Sequence, residues 1–141
     1  MDNKWIFSHV GIVVKDLNKT LEYYRSLGIF EIPKTTPEVL VGRNPDVDGP
    51  VGEILKLDVS LQGLNIELIQ PLSGDTLQQR FLDKYGEGMH HVCFDVSDVN
   101  STRLELAEKG INVACPIRKE TTYYNTGDYG QMLLEIRQKL R

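Results

Sequence analysis

From Trp5 to Val14 the chain is almost continuously apolar and rich in β-formers, with His9 at its middle, the pattern of a strand. Asp16 follows as an N-cap, and Leu17, Leu21, Tyr24 and Leu27 then recur at helical spacing, which predicts a helix over 17–27 ended by Gly28. Ile29 to Pro33 reads as a short strand. Residues 35–51 hold three of the six prolines and two glycines and read as one long loop, either a functional one or a tolerated insertion. Gly52 to Ser60 alternates as a strand, Leu61-Gln62-Gly63 makes a turn, and Leu64 to Gln70 returns until Pro71 stops it. Thr76 caps a short helix over about 76–85, with Leu77, Phe81, Leu82 and Tyr85 on one face, that would bridge two halves.

The pattern then restarts. Gly88 to Val96 is a strand, Asp98 caps a helix over 99–109, Gly110 ends it, and strands follow at 111–115, 119–125 and 131–137, the last two joined by a turn at 126–130. Laying residues 9–29 over 91–111, an offset of 82, makes eight of 21 positions identical. The expectation is an α+β fold of two tandem βαβββ modules, 5–70 and 88–137, forming a cupped mixed sheet with helices outside, within a single domain.

Each module carries a histidine in its first strand and a glutamate in its last: His9 with Glu67, and His91 with Glu135. A mid-strand residue between apolar neighbours points to the opposite face from them, so these glutamates stand apart from the core face. A lone strand histidine is more often a packed structural group and a lone strand glutamate more often faces water. Recurrence at matching places in both halves weighs against that. Two imidazoles and two carboxylates suit a borderline divalent metal such as Zn, Co, Ni, Mn or Fe, with positions left for water or substrate. His90 points away from its neighbour His91 and reads as a structural or supporting group. Glu53, on the strand before Glu67, is either a second acid/base on the same face or an exposed edge residue. Cys93 shares the His91 face and reads as a buried core thiol. Tyr123, Tyr124 and Tyr129 fit a β-rich hairpin or a pocket wall.

Net charge is −4 with basic residues scattered, so nucleic acid is not an expected partner. Two cysteines without a CxxC spacing suit free thiols in a reducing cytoplasm. The N-terminal segment lacks the apolar core of a signal peptide, and no apolar run nears the roughly 18 residues of a membrane span.

The stretches His9-Val10-Gly11-Ile12-Val13-Val14-Lys15-Asp16-Leu17, Ile66-Glu67-Leu68-Ile69-Gln70-Pro71-Leu72-Ser73-Gly74-Asp75-Thr76, Gly88-Met89-His90-His91-Val92-Cys93-Phe94-Asp95-Val96 and Leu133-Leu134-Glu135-Ile136 resemble the vicinal oxygen chelate (glyoxalase/bleomycin resistance/dioxygenase) superfamily. Within it they look most like the methylmalonyl-CoA epimerases. The resemblance spans about residues 6–137. It implies paired βαβββ modules holding a divalent metal on His9, Glu67, His91 and Glu135. It also implies an epimerase or isomerase working through an enolate on an acyl-CoA, with Glu135 and Glu53 moving the α-proton, and homodimerisation, which is common for this fold. The segment between Gly110 and Glu135 is shorter than in those epimerases. Other chemistries of the fold are a glyoxalase I-like lyase acting on a thiol adduct, a ring-opening dioxygenase, and a metal-free resistance-type binding protein. A fourth ligand at Glu67 counts against the dioxygenase, and the full quartet against the binding protein.

Overall fold

The computed structural model describes residues 4–118, 121–125 and 133–139. Among them are nine strands, β1 (Trp5–Val13), β2 (Phe30–Glu31), β3 (Glu38–Gly42), β4 (Gly52–Leu61), β5 (Leu64–Gly74), β6 (Gly88–Val96), β7 (Val113–Arg118), β8 (Thr121–Asn125) and β9 (Leu133–Gln138). Three helices accompany them, α1 (Leu17–Leu27), α2 (Leu77–Tyr85) and α3 (Val99–Glu108). The chain divides into two compact units, residues 9–90 and residues 1–8 with 91–141.

In the 9–90 unit, β4 pairs β5 antiparallel and β5 pairs β1 parallel, with β2 and β3 both bonded to β4. Helix α1 starts where the Asp16 side chain accepts a hydrogen bond from the Lys19 N–H at 3.0 Å. It stops at Gly28, whose φ of 71° is the left-handed conformation that glycine adopts without strain. Leu17 and Leu21 of α1 pack with Val14, Leu57, Val59, Ile66 and Leu68 into one core, and Tyr24 stacks on Phe30 at 4.0 Å. Full burial of one such leucine contributes about 1.5–3 kcal/mol.

In the other unit, β6 pairs β9 parallel, and β9, β8 and β7 follow antiparallel. The start of β1 lies beside the end of β6, with the Ser97 N–H donating to the Lys4 carbonyl at 3.2 Å and the Trp5 ring edge-on to Phe94 at 5.7 Å. Asp98 caps α3 through the Asn100 and Ser101 N–H groups, and Val96, Val99, Leu106, Tyr124 and Ile136 form the core beneath it.

Three expectations need correction. The 35–51 segment is not one loop: Glu38–Gly42 pairs along β4 as an extra strand, so the first module runs β-α-β-β-β-β. The Val39-Leu40-Val41 run supplies the β-forming residues between flanking prolines. Pro71 does not stop β5. It lies beyond the β1–β5 ladder, which ends at Ile69, and beside a register shift that leaves Leu72 as the extra residue, so its missing N–H removes no ladder bond to β1. β2 is only two residues long. The turn at 126–130, with Tyr129, lies outside the described residues.

The remainder of the 35–51 segment is tied to α2. Asn44 is buried, donates to the Asp75 carbonyl at 2.8 Å and accepts from the Asp46 N–H at 2.9 Å. Arg80 bridges Asp46 and Asp75 at 2.7 Å each. At the far end of the β4–β5 ladder, Gly52 faces Gly74. A Cβ at Gly52 would collide with the Ser73 carbonyl and the Gly74 backbone. Gly52→Ala therefore lowers stability by about 1–3 kcal/mol, read as a fall in the denaturant midpoint.

Candidate functional site

Two local sites are built by the same rule. In the 9–90 unit the parallel register sets Gly11 of β1 against Glu67 of β5. His9 is two residues before Gly11, so alternation puts it on the Glu67 face, opposite the core made by Ile66 and Leu68. His9 Nε2 lies 3.4 Å from Glu67 Oε2. The imidazole is buried and the carboxylate side chain is only 13% exposed. A carboxylate held that far from water needs polar partners.

A second partner comes from β4. Lys56 Nζ lies 3.4 Å from the same Glu67 oxygen and 3.7 Å from Asp58 Oδ2. Asp58 is directly across from Glu67, and Lys56 across from Ile69. Burial works against the Lys56 charge, but Glu67 first and then Asp58 outweigh it, leaving its pKa above the ordinary lysine value. Lys56 and Asp58 alternate with leucines and a valine in Ile54-Leu55-Lys56-Leu57-Asp58-Val59, the one sequence signal that could have marked them.

In the other unit, Cys93 of β6 is set against Glu135 of β9, and His91 is again two residues before. His91 Nε2 lies 3.1 Å from Glu135 Oε2. His91 is fully buried, and the Glu135 side chain is 10% exposed. Tyr123 of β8 opposes Glu135, and its ring sits 5.1 Å from the His91 ring. Tyr123 thus stands at this site while Tyr124 belongs to the core. Burial, reinforced by Glu135, raises the Cys93 thiol pKa well above its ordinary value, so Cys93 is a neutral thiol here. Two residues beyond Glu135, Arg137 makes a two-point ion pair with Asp95 at 2.7 and 3.2 Å and donates to Ser8 at 2.9 Å. His90 packs elsewhere, edge-on to Phe81 of α2 at 5.1 Å.

Glu53 is exposed on β4, facing Ser73 of β5 and Val41 of β3. Alternation alone puts it in phase with Leu55 and Leu57, whereas Lys56 and Asp58 share the Glu67 phase. The register shift between Glu53 and Ile54 interrupts the ladder at this point. The structure thus brings His9 to Glu67 and His91 to Glu135, and sets Glu53 between Val41 and Ser73.

Each pair offers an imidazole nitrogen and a carboxylate oxygen, side by side and shielded from water. That donor chemistry suits a borderline divalent metal. No described helix is long and apolar enough to cross a membrane.

Residues 8–125 match the family model for the glyoxalase/bleomycin resistance protein/dioxygenase superfamily. An ethylmalonyl-CoA/methylmalonyl-CoA epimerase of Cereibacter sphaeroides is 30% identical over 107 residues, covering 75% of this chain and 72% of that protein. The mitochondrial methylmalonyl-CoA epimerase of Bos taurus is 28% identical over 138 residues, covering 93% of this chain and 73% of that protein. Among solved structures, a Streptomyces coelicolor methylmalonyl-CoA epimerase variant in complex with 2-nitronate-propionyl-CoA superposes with a TM-score of 0.69 at 24% identity, covering 98% of this chain and 100% of that one. This chain belongs to the glyoxalase/bleomycin resistance protein/dioxygenase superfamily and, within it, to the methylmalonyl-CoA epimerase family.

Proposed function

We propose that the protein is a divalent-metal-dependent epimerase acting through an enolate on an acyl-CoA such as methylmalonyl-CoA. The observation that carries this is the recurrence of a His–Glu pair on a buried histidine, at matching register positions, in a chain with epimerase relatives. In this proposal His9, Glu67, His91 and Glu135 hold one metal ion, and modules 5–70 and 88–137 with the linker helix act as a single domain. Cobalt, nickel, zinc, manganese and iron all suit the donors. Such an ion supplies Lewis acidity, which lowers the energy of the enolate charge.

The chain's own residues do the rest. The α-carbon–hydrogen bond breaks, its proton passes to a carboxylate, and the electron pair moves into the thioester. Return of a proton to the opposite face inverts the centre. Glu135 is the first carboxylate of the proposal: it has two oxygens, so one can serve as a ligand while the other takes the proton. Glu53 is the second. The interrupted ladder at Glu53 supports that role, because such irregularities re-aim side chains. Buried tyrosine and thiol neighbours at Glu135 keep water from the reacting carbon.

We also place the protein in the cytoplasm as a homodimer. Two buried free thiols support a reducing compartment, and the exposed Trp5, Ile6 and Phe7 support self-association.

The purified protein is expected to bind one divalent metal per chain, measured by elemental analysis, and His91→Ala to lose it. Normal metal content in that variant would remove the site. In D₂O, NMR should show metal-dependent exchange of the α-proton of methylmalonyl-CoA. Glu135→Gln should slow exchange about 10²–10⁴-fold. Glu53→Gln should slow epimerisation while leaving exchange from one enantiomer. Turnover of a hemithioacetal without acyl-CoA exchange would move the assignment to a lyase. Sedimentation equilibrium should return twice the chain mass, and a monomer at micromolar concentration would refute the dimer.

A further inference from the structure

We propose that Cys93 is a positioning residue for Glu135: its thiol donates to the carboxylate and fixes the direction in which a carboxylate oxygen meets the α-proton. This rests on the proposal that Glu135 moves that proton, and it adds a residue to the same site.

Cys93 of β6 and Glu135 of β9 stand directly across from each other in the parallel ladder, so their side chains share a face. The next pair, Phe94 and Ile136, turns to the opposite face, where Ile136 is buried in the core under α3. Packing there fixes the spacing of the thiol and the carboxylate. Cys93 Sγ lies within 4.8 Å of a Glu135 carboxylate oxygen, and the two groups are hydrogen-bonding neighbours. Cys93 is 0% exposed, so water does not compete for its proton. On the same carboxylate, His91 Nε2 lies 3.1 Å from Oε2. Contact at one oxygen leaves a glutamate carboxylate able to turn, because its last torsion is broad. A second contact from the β6 side removes that freedom. A thiol is a weak donor, and a carboxylate has about four lone-pair sites, so the contact orients the group and leaves it basic. The other half is built differently. Gly11 stands across from Glu67 and brings no side chain, while the Lys56 ammonium lies 3.4 Å from Glu67 Oε2. A full positive charge holds a carboxylate in its ionised form and weakens it as a base. The two glutamates therefore differ in the way the proposed roles require: Glu135 takes the proton and Glu67 only binds.

Two measurements test this. The chain has two cysteines, so the infrared spectrum of the full-length protein holds two S–H stretching bands, and Cys93→Ala identifies one by removing it. Glu135→Gln is expected to move the Cys93 band to higher frequency, because a neutral amide is a weaker acceptor than a carboxylate, and to leave the Cys115 band in place. In α-proton exchange, Cys93→Ala should lower kcat about tenfold, with KM and metal content unchanged. Cys93→Ser, which keeps a donor on a similarly small side chain, should restore kcat to within about threefold of native. A purely structural cysteine would give equal losses in both variants. If Cys93→Ala does not fold, Cys93→Val and Cys93→Thr make the same comparison. Equal losses in the donor and donor-free variants, native kcat in Cys93→Ala, or a Cys93 band that Glu135→Gln does not move overturns the assignment. Lack of exchange in the native protein overturns the epimerase proposal alone, since the infrared shift is read without turnover.

Discussion

Everything at the two His–Glu pairs depends on strand register. The β1–β5 and β6–β9 ladders are parallel, and each sets the residue two positions after a histidine against a glutamate. Strand side chains alternate with a period of two, so a slip of one residue would turn the glutamate into the core and a leucine or isoleucine out of it. Register is held by the opposite face. Ile66 and Leu68 flank Glu67 and are buried in the core under α1, while Ile136, beside Glu135, is buried under α3 with Leu134 packed against that core. The apolar residues that stabilise each ladder thus also fix which side chains reach the polar face.

That arrangement has a cost. Carboxylates withdrawn from water are destabilising unless paired. Each glutamate has an imidazole nitrogen within 3.4 Å, and Glu67 has an ammonium as well. A protein selected for stability alone gains little by burying such groups. They nonetheless recur at matching positions on both ladders.

Much of this was readable from the chain. Capping residues are local signals, and Asp16 and Gly28 bound α1 at the residues the helical spacing predicts. The 82-residue repeat located both histidines, and strand alternation separated His91 from His90, which the structure sets against Phe81. Other features depend on partners distant in sequence. Val39-Leu40-Val41 is too short a run to announce a strand among prolines, and it becomes one by pairing with β4. Pro71 is tolerated because of where the neighbouring ladder ends. Lys56 acquires its meaning only through cross-strand register, since Glu67 lies eleven positions further along the chain.

The two halves agree at the ligand pair and differ around it. Across from Glu67 stand Asp58 and, on the parallel side, Gly11, whereas across from Glu135 stand Tyr123 and Cys93. Two positions past the glutamate, one half presents Ile69 with Lys56 across from it and the other presents Arg137 locked to Asp95. The cations therefore differ in what they can do. Arg137 is held at two points by a carboxylate of its own strand pair, so it is a structural tie. Lys56 divides its charge between Glu67 Oε2 at 3.4 Å and Asp58 Oδ2 at 3.7 Å, so it is held by two weaker contacts rather than one two-point pair.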